Sequence, residues 1–154
     1  MPVFGALRED TLRFLLDQAR EVYVDAGQFF FREGDRAESM YVLEAGKVSV
    51  LKGWRGNECL LHDLQAGDCF GEMALLDLFP RSASVRAATA CTAMELGCAD
   101  LYRLFERDAE QFALIQMNIG REISRRLRLV DDLLFRARMG EELPGSAELL
   151  LPST

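Results

Sequence analysis

Gly67-Asp68-Cys69-Phe70-Gly71-Glu72-Met73-Ala74-Leu75-Leu76-Asp77-Leu78-Phe79-Pro80-Arg81-Ser82-Ala83-Ser84-Val85 opens as a turn, passes through a short apolar pair and a glycine into a helix-forming run, and returns as a strand. Such a segment reads as an insertion in a series of strands. On its N-terminal side turn signals recur roughly every ten residues, at Asp25-Ala26-Gly27, Glu33-Gly34-Asp35, Glu44-Ala45-Gly46, Gly53 to Gly56 and Gln65-Ala66-Gly67-Asp68. Short apolar segments lie between them: Gln28 to Phe31, Met40 to Leu43, Val48 to Leu51 and Cys59 to Leu64. The rhythm resumes over Ser84 to Leu96, where Ala90, Thr92, Met94 and Leu96 can share one face. The expected class is α+β, built on a β jelly-roll barrel or sandwich of short strands. Ala26-Gly27-Gln28-Phe29 and Ala66-Gly67-Asp68-Cys69-Phe70 read as two uses of one turn-into-strand device.

Helical spacing flanks the strands. Leu12, Leu15, Leu16 and Ala19 predict a short N-terminal helix over Asp10 to Glu21, with Asp10 or Thr11 as its cap. After Leu96, Asp100 to Phe105 reads as a short helix and Ala109 to Arg138 as a long one. The long helix carries a stripe of Phe112, Ile115, Ile119, Ile123, Leu127, Val130 and Leu134. Gly140 is a plausible stop, so residues 1–140 are expected to form one domain and 141–154, with Pro144, Gly145 and Pro152, a flexible tail. The segment after Gly140 is too short for a helix-turn-helix, so no DNA-binding domain is expected in this chain.

The chain has 154 residues, 49% of them hydrophobic, which suffices for one globular core. Eighteen basic against 25 acidic side chains give a net charge of -7. That balance argues against a broad nucleic-acid surface, which needs clustered Lys and Arg. No apolar run approaches the ~20 residues of a membrane span, and Met1 to Leu7 lacks the pattern of a secretory signal; the expectation is a cytoplasmic protein without membrane contact. Cys59, Cys69, Cys91 and Cys98 lack C-x-x-C spacing and read as reduced, mostly buried thiols.

The inserted segment carries the chemistry. Gly71 permits a backbone conformation or close approach that a side chain would block. Met73 to Leu76 can form one helical turn whose N–H groups point at an anion. Pro80 restrains the chain before Arg81, an always-ionised guanidinium suited to paired contacts with phosphate oxygens. Glu72 beside such a cradle would repel a phosphate unless it had a partner of its own. A sugar hydroxyl is one, because an ionised carboxylate accepts O–H donors, and phosphate with ribose means a nucleotide. Neither G-x-x-x-x-G-K-[ST] nor G-x-G-x-x-G is present. Taken singly, Arg81 would read as a surface arginine, Glu72 as a solvated turn acid and Met73 to Leu76 as core; their combination reverses this.

Gly71-Glu72-Met73-Ala74-Leu75 followed by Pro80-Arg81-Ser82-Ala83 resembles the phosphate-binding cassette of the cyclic nucleotide-binding domain, as found in catabolite activator proteins, kinase regulatory subunits and cyclic-nucleotide-gated channels. The likeness extends to Phe31-Arg32-Glu33-Gly34-Asp35, to Met40-Tyr41-Val42-Leu43 with Gly46, and to Gly67-Asp68, covering most of residues 10 to 138. The resemblance implies that Glu72 accepts from the ribose 2'-hydroxyl and that Arg81 neutralises the cyclic phosphate. Backbone N–H groups around Met73, Ala74 and Ala83 would complete the cradle, with Gly71 also among the ligand-binding residues and the Ser82 hydroxyl near phosphate and base. Val50 and Leu61 match positions flanking the base. The long helix would be the lid, through Leu127, Val130 and Asp131. Val130 and Asp131 replace the polar residues with which bacterial activators read adenine. Asp131 could accept from an adenine amino group or a guanine N–H, while serine rather than threonine at position 82 leans toward cyclic AMP over cyclic GMP.

The resemblance thus implies a stand-alone, non-enzymatic cyclic nucleotide sensor with no cofactor, no catalytic residues and no metal, signalling through its C-terminal helix to a protein partner. The alternative is a degenerate cassette that serves as an interaction module without ligand. His62 is the only histidine and reads as a half-exposed strand residue rather than a base contact. A metal-dependent cupin would need two or three histidines, and an iron–sulfur sensor a cysteine cluster. The long helix could pair with a second copy through its exposed remainder. Arg121, Arg125, Arg126, Arg128, Arg136 and Arg138 read as its solvated polar face.

Overall fold

The computed structural model describes residues 2–140; the tail expected over 141–154 lies outside the described residues. Eight strands and four α-helices follow a 3-10 turn at Pro2–Phe4: α1 (Glu9–Gln18), β1 (Arg20–Val24), β2 (Phe29–Phe31), β3 (Ser39–Ala45), β4 (Lys47–Trp54), β5 (Asn57–Gln65), β6 (Cys69–Phe70), α2 (Ala74–Asp77), β7 (Ser84–Ala87), β8 (Cys91–Gly97), α3 (Cys98–Arg107) and α4 (Ala109–Arg138). The strands pair antiparallel in two four-stranded sheets, ordered β1-β8-β3-β6 and β2-β7-β4-β5. The fold is jelly-roll-like, and its hydrogen bonding runs within two facing sheets without closing a barrel.

Side-chain alternation explains why two sheets form. On β4 and β7, Val48, Val50, Val85 and Ala87 are buried between the sheets, while Ser49 and Arg86 face outward only partly covered. In the other sheet β3 is covered on both faces, which is why Met40-Tyr41-Val42-Leu43 reads as an unbroken apolar run. Tyr41 and Leu43 join Phe31, Phe70 and Ala93 in the core between the sheets. Met40 and Val42 join Leu96, Leu101, Leu104, Ile115 and Ile119 in a second core under the helices. Burying a side chain of this kind contributes about 1.5–3 kcal/mol.

The repeated turn device is real geometry. Gly27 and Gly67 have φ of +86° and +96°, and each is the third residue of a turn closed by a 3.0 Å bond, Gln28 N–H to Asp25 O and Asp68 N–H to Gln65 O. Each glycine N–H then donates 2.8 Å across to the opposing strand, at Ala87 O and Leu43 O. An ordinary residue at such a φ costs roughly 1–2 kcal/mol.

The N-terminal helix is shorter than its periodicity suggests. It stops at Gln18, and Arg20 to Val24 pair with β8 from Arg20↔Glu95 to Val24↔Cys91. Val22 and Val24 pack on the core between the sheets, so β-branched side chains and an open strand edge override the helical reading of Ala19 to Glu21. The third helix starts at Cys98, with Asp100 accepting from Gly97 N–H at 2.8 Å. The fourth begins at Ala109 because Asp108 caps it, accepting from Gln111 N–H at 3.2 Å. Asn118 Nδ2 donates to Val3 O at 3.1 Å and Gly5 O at 2.8 Å, holding the N-terminal turn on α4.

Two further expectations change. All four cysteines are free, but only Cys91 is buried and Cys59 is exposed. The apolar stripe on α4 enters the core only through Ile115 and Ile119, with Phe112 and Ile123 at its margin; Leu127, Val130 and Leu134 are exposed.

Candidate functional site

The segment after β6 is positioned by its ends. Gly71 has φ +80°, and a Cβ built there would lie 2.6 Å from Arg81 Nη1 and 3.3 Å from Ser39 O. Only glycine lets the backbone and the guanidinium approach this closely. The helical turn α2 ends where Leu78 takes a left-handed φ of +56° and donates to Ala74 O at 3.3 Å. The N–H groups of Ala74, Leu75 and Leu76 donate to the carbonyls of Gly71, Glu72 and Met73, at 3.3, 3.1 and 3.0 Å.

Arg81 is strapped to the turn after β2. Its N–H donates to Asp35 O at 2.9 Å, and its carbonyl accepts from Gly34 N–H at 2.8 Å. Nearby, Glu33 N–H donates to Ser84 Oγ at 2.8 Å, Lys52 Nζ donates to Ser82 O at 2.6 Å, and Glu33 Oε2 accepts from Gly53 N–H at 3.0 Å. That N–H and Lys52 hold the Glu33 carboxyl below its usual range. Lys52 is a second cation beside Ser82 that sequence patterning leaves unmarked.

Arg81 is 7% exposed. Its Nη1 donates to Gly71 O at 3.2 Å and its Nη2 to Ser39 O at 2.8 Å, and its central carbon stands 4.0 Å from the Phe31 ring centroid. Nε has no hydrogen-bond partner. Burial lowers the Arg81 pKa from its ordinary value, against Tyr41, Glu95 and Asp35, which raise it. A cation held by two carbonyl dipoles and a ring face, with no carboxylate on its nitrogens, keeps its capacity for an anion. Gly71, Met73, Ala74, Arg81, Ser82 and Ala83 line one cavity of about 120 Å³, closed by Phe31, Asp77 and Phe79 among others. This is below the roughly 300–1,000 Å³ of pockets that enclose small molecules, and it suits a phosphate-sized group better than a nucleoside.

Glu72 faces the other way. It is 1% exposed and forms an ion pair with Arg126 of α4, itself 8% exposed. Sequence patterning puts Arg126 on a solvated face, and the structure buries it against the inserted segment. Burial lowers its pKa to about 10, far enough above neutrality to keep it a cation. The signal lies in the spacing, since Arg126 stands seven residues after Ile119 and three after Ile123, on the covered side of the helix. His62 likewise departs from expectation: it is 6% exposed, pairs with Val50 across β4 and β5, and its Nε2 has no partner.

The remaining expected positions are divided. Val50 is fully buried and Leu61 packs partly buried against the core between the sheets, at the register shift between β4 and β5. Leu127, Val130 and Asp131 are exposed on α4, apart from the cavity. Among the described residues no group of three or more His, Cys, Asp and Glu could hold a metal ion, and no helix is long and apolar enough to cross a membrane.

Comparison with known proteins agrees with this geometry. The family model described as cyclic nucleotide-binding domain matches residues 21–108. A cAMP-dependent protein kinase regulatory subunit of Eremothecium gossypii is 38% identical over 104 residues, spanning 68% of this chain and 22% of that protein. The Thermus thermophilus catabolite activator protein superposes with a TM-score of 0.80 at 29% identity, over 90% of this chain and 63% of that one. The regulatory domain of Toxoplasma gondii PKA, crystallised with cAMP, gives 0.66 at 27% identity, over 90% and 49%. The chain spans under a quarter of the length of the first kinase subunit it matches. With the inserted segment inside the matched residues and the two-sheet fold shared over nearly all of the described chain, this protein belongs to the cyclic nucleotide-binding domain family, a family of regulatory domains.

Proposed function

We propose that this protein is a non-enzymatic cyclic nucleotide sensor whose ligand is cyclic AMP, with residues 1–140 forming the binding unit and α4 carrying the response. The observation behind this reading is the buried Arg81 guanidinium, held only by carbonyls and a ring face at one wall of a phosphate-sized cavity. Arg81 would meet the cyclic phosphate, with the backbone of Met73, Ala74 and Ala83 and the Ser82 hydroxyl beside it. Glu72 would accept from the ribose hydroxyl, and Val50 and Leu61 would flank the base. Likeness to a kinase regulatory subunit named for cAMP and to a domain crystallised with it supports cyclic AMP, as does serine at position 82. No cofactor or metal enters this reading.

Glu72 already bonds Arg126, so ligand and lid helix meet at one carboxylate. A hydroxyl donor arriving there changes what Arg126 is worth to the docking of α4, and a ligand shifts an equilibrium by its differential contact with the two positions. Leu127, Val130, Asp131, Leu134 and Phe135 then present a face whose placement depends on the ligand. A partner protein, or a second copy, would read that face in the cytoplasm.

Calorimetric titration with cyclic AMP, cyclic GMP and non-cyclic AMP tests the reading. Micromolar or tighter binding of cyclic AMP, weaker binding of cyclic GMP and none of AMP are expected, with binding lost in Arg81→Ala. Absence of any nucleotide binding by the folded protein would favour the interaction-module reading instead.

A further inference from the structure

Ala83 is bracketed by side-chain contacts that reach beyond the pairing of its strands. The ladder between β4 and β7 runs from Val48↔Ala87 to Leu51↔Ser84 and stops there, one residue short of Ala83. Lys52, the next residue of β4, donates from Nζ to Ser82 O at 2.6 Å. The ammonium thus stands in for the missing rung. Lys52 is itself held. Its Nζ lies 3.2 Å from Glu33 Oε1, Glu33 Oε2 accepts from Gly53 N–H at 3.0 Å, and Glu33 N–H donates to Ser84 Oγ at 2.8 Å. Ser82 and Ser84 are therefore fixed on either side of Ala83, which is 2% exposed. A half-exposed lysine in an isolated ion pair contributes little; this one also gives a donor to a main-chain carbonyl at the end of the inserted segment.

The peptide between Ser82 and Ala83 is trans and planar, so Ser82 C=O and Ala83 N–H point to opposite sides of it. With the carbonyl held on Lys52, the N–H is aimed the other way. Ser82 and Ala83 form part of the cavity wall and Lys52 does not. We propose that Lys52 is a positioning residue: by holding Ser82 O it aims the Ala83 N–H into the cavity, at the phosphate that Arg81 neutralises. The inference rests on the nucleotide-binding reading above and adds to it a residue of β4, outside the inserted segment. A backbone donor serves an anion best when its direction is fixed before the ligand arrives. Lys52 acts through Ser82, while its own charge is directed at Glu33.

The test uses cyclic AMP and its two phosphorothioate diastereomers, each with sulfur in place of one exocyclic phosphate oxygen. Sulfur accepts a hydrogen bond poorly. In wild type each diastereomer should bind about tenfold or more weakly than cyclic AMP, one losing the Ala83 donor and the other an Arg81 donor. Lys52→Met keeps most of the side chain's length and removes its donors. It should lower cyclic AMP affinity about tenfold and abolish the penalty for one diastereomer while leaving the penalty for the other. Lys52→Arg, which can still donate to Ser82 O, should keep both penalties. A general loosening of the segment would reduce both together, so the selective loss is the mark of an aimed N–H. If wild type binds cyclic AMP and Lys52→Met keeps both penalties or loses both, Lys52 does not position the Ala83 donor, and this inference is overturned while nucleotide binding stands. If wild type binds no cyclic nucleotide, the sensor reading fails and the inference fails with it.

Discussion

Arg81 and Arg126 are both buried, both leave Nε without a partner, and both touch the segment between β6 and β7, yet they are held in opposite ways. Arg81 rests on the carbonyls of Gly71 and Ser39 and on the Phe31 ring. Arg126 meets the carboxylate of Glu72. A cation taken out of water needs compensation, and a carboxylate supplies a full opposite charge where carbonyls supply only dipoles. Arg126 is thus largely neutralised from within the protein, while Arg81 keeps most of its charge for something from outside. The difference separates a cation of the segment itself, met only by dipoles, from a cation of α4 that is paired to it.

Four experiments would break or sharpen that contrast. Arg81→Ala should lower cyclic AMP affinity at least about 100-fold, roughly the 3 kcal/mol of a charge-assisted contact, with thermal melting checking that the fold survives. An affinity within about threefold of wild type would show that Arg81 is structural. Arg126→Leu should destabilise the protein by about 3 kcal/mol in urea, because the buried Glu72 carboxylate loses the cation that offsets its charge unless α4 lifts. Adding Glu72→Gln should recover most of the loss, and a coupling energy near zero in that cycle would remove the docking role. Gly71→Ala should cost about 1–2 kcal/mol through its φ of +80°. The new methyl would also push Arg81 Nη1 from its place, so cyclic AMP binding should weaken as well; stability lost without affinity would mean that Arg81 re-seats freely.

The smallest effect is on pH dependence. His62 has a folded pKa below its ordinary 6.5, so on acidification the unfolded chain takes up the proton before the folded one does. Stability present above about pH 6.5 should therefore fall as pH drops from there toward the folded value. His62→Gln should flatten that part of the curve in urea melts taken from pH 7.5 to 5. An unchanged slope would place the titrating group elsewhere.

Most of the fold is legible in local chemistry. Turns at Gly27, Gly34, Gly46 and Gly67 need positive φ, and glycine marks them in the chain. Strand segments alternate or run apolar because their faces meet one core or two, and the long helix declares itself over Ala109–Arg138 by spacing alone. The failures are non-local. Arg20 to Val24 form a strand because β8 offers an edge to pair with, which no window around Ala19 contains. The cassette residues Gly71, Met73, Ala74, Arg81, Ser82 and Ala83 could be grouped from their proximity in the chain and do line one cavity. Glu72 stands among them in sequence and turns away from them in space.

Composition, spacing and turn chemistry were enough to establish a strand-rich domain with a long C-terminal helix and a short helical insertion between two strands, because each depends on contacts within a few residues. Which buried arginine meets a carboxylate and which meets only carbonyls was settled by packing. Arg126 and Glu72 are 54 positions apart, and His62 is a further ten before Glu72. The Glu72–Arg126 pair forms only where α4 docks against the inserted segment. Charge in a sequence has a sign but no dielectric, and the same arginine is a solvated surface group or a buried anchor according to the surface that covers it.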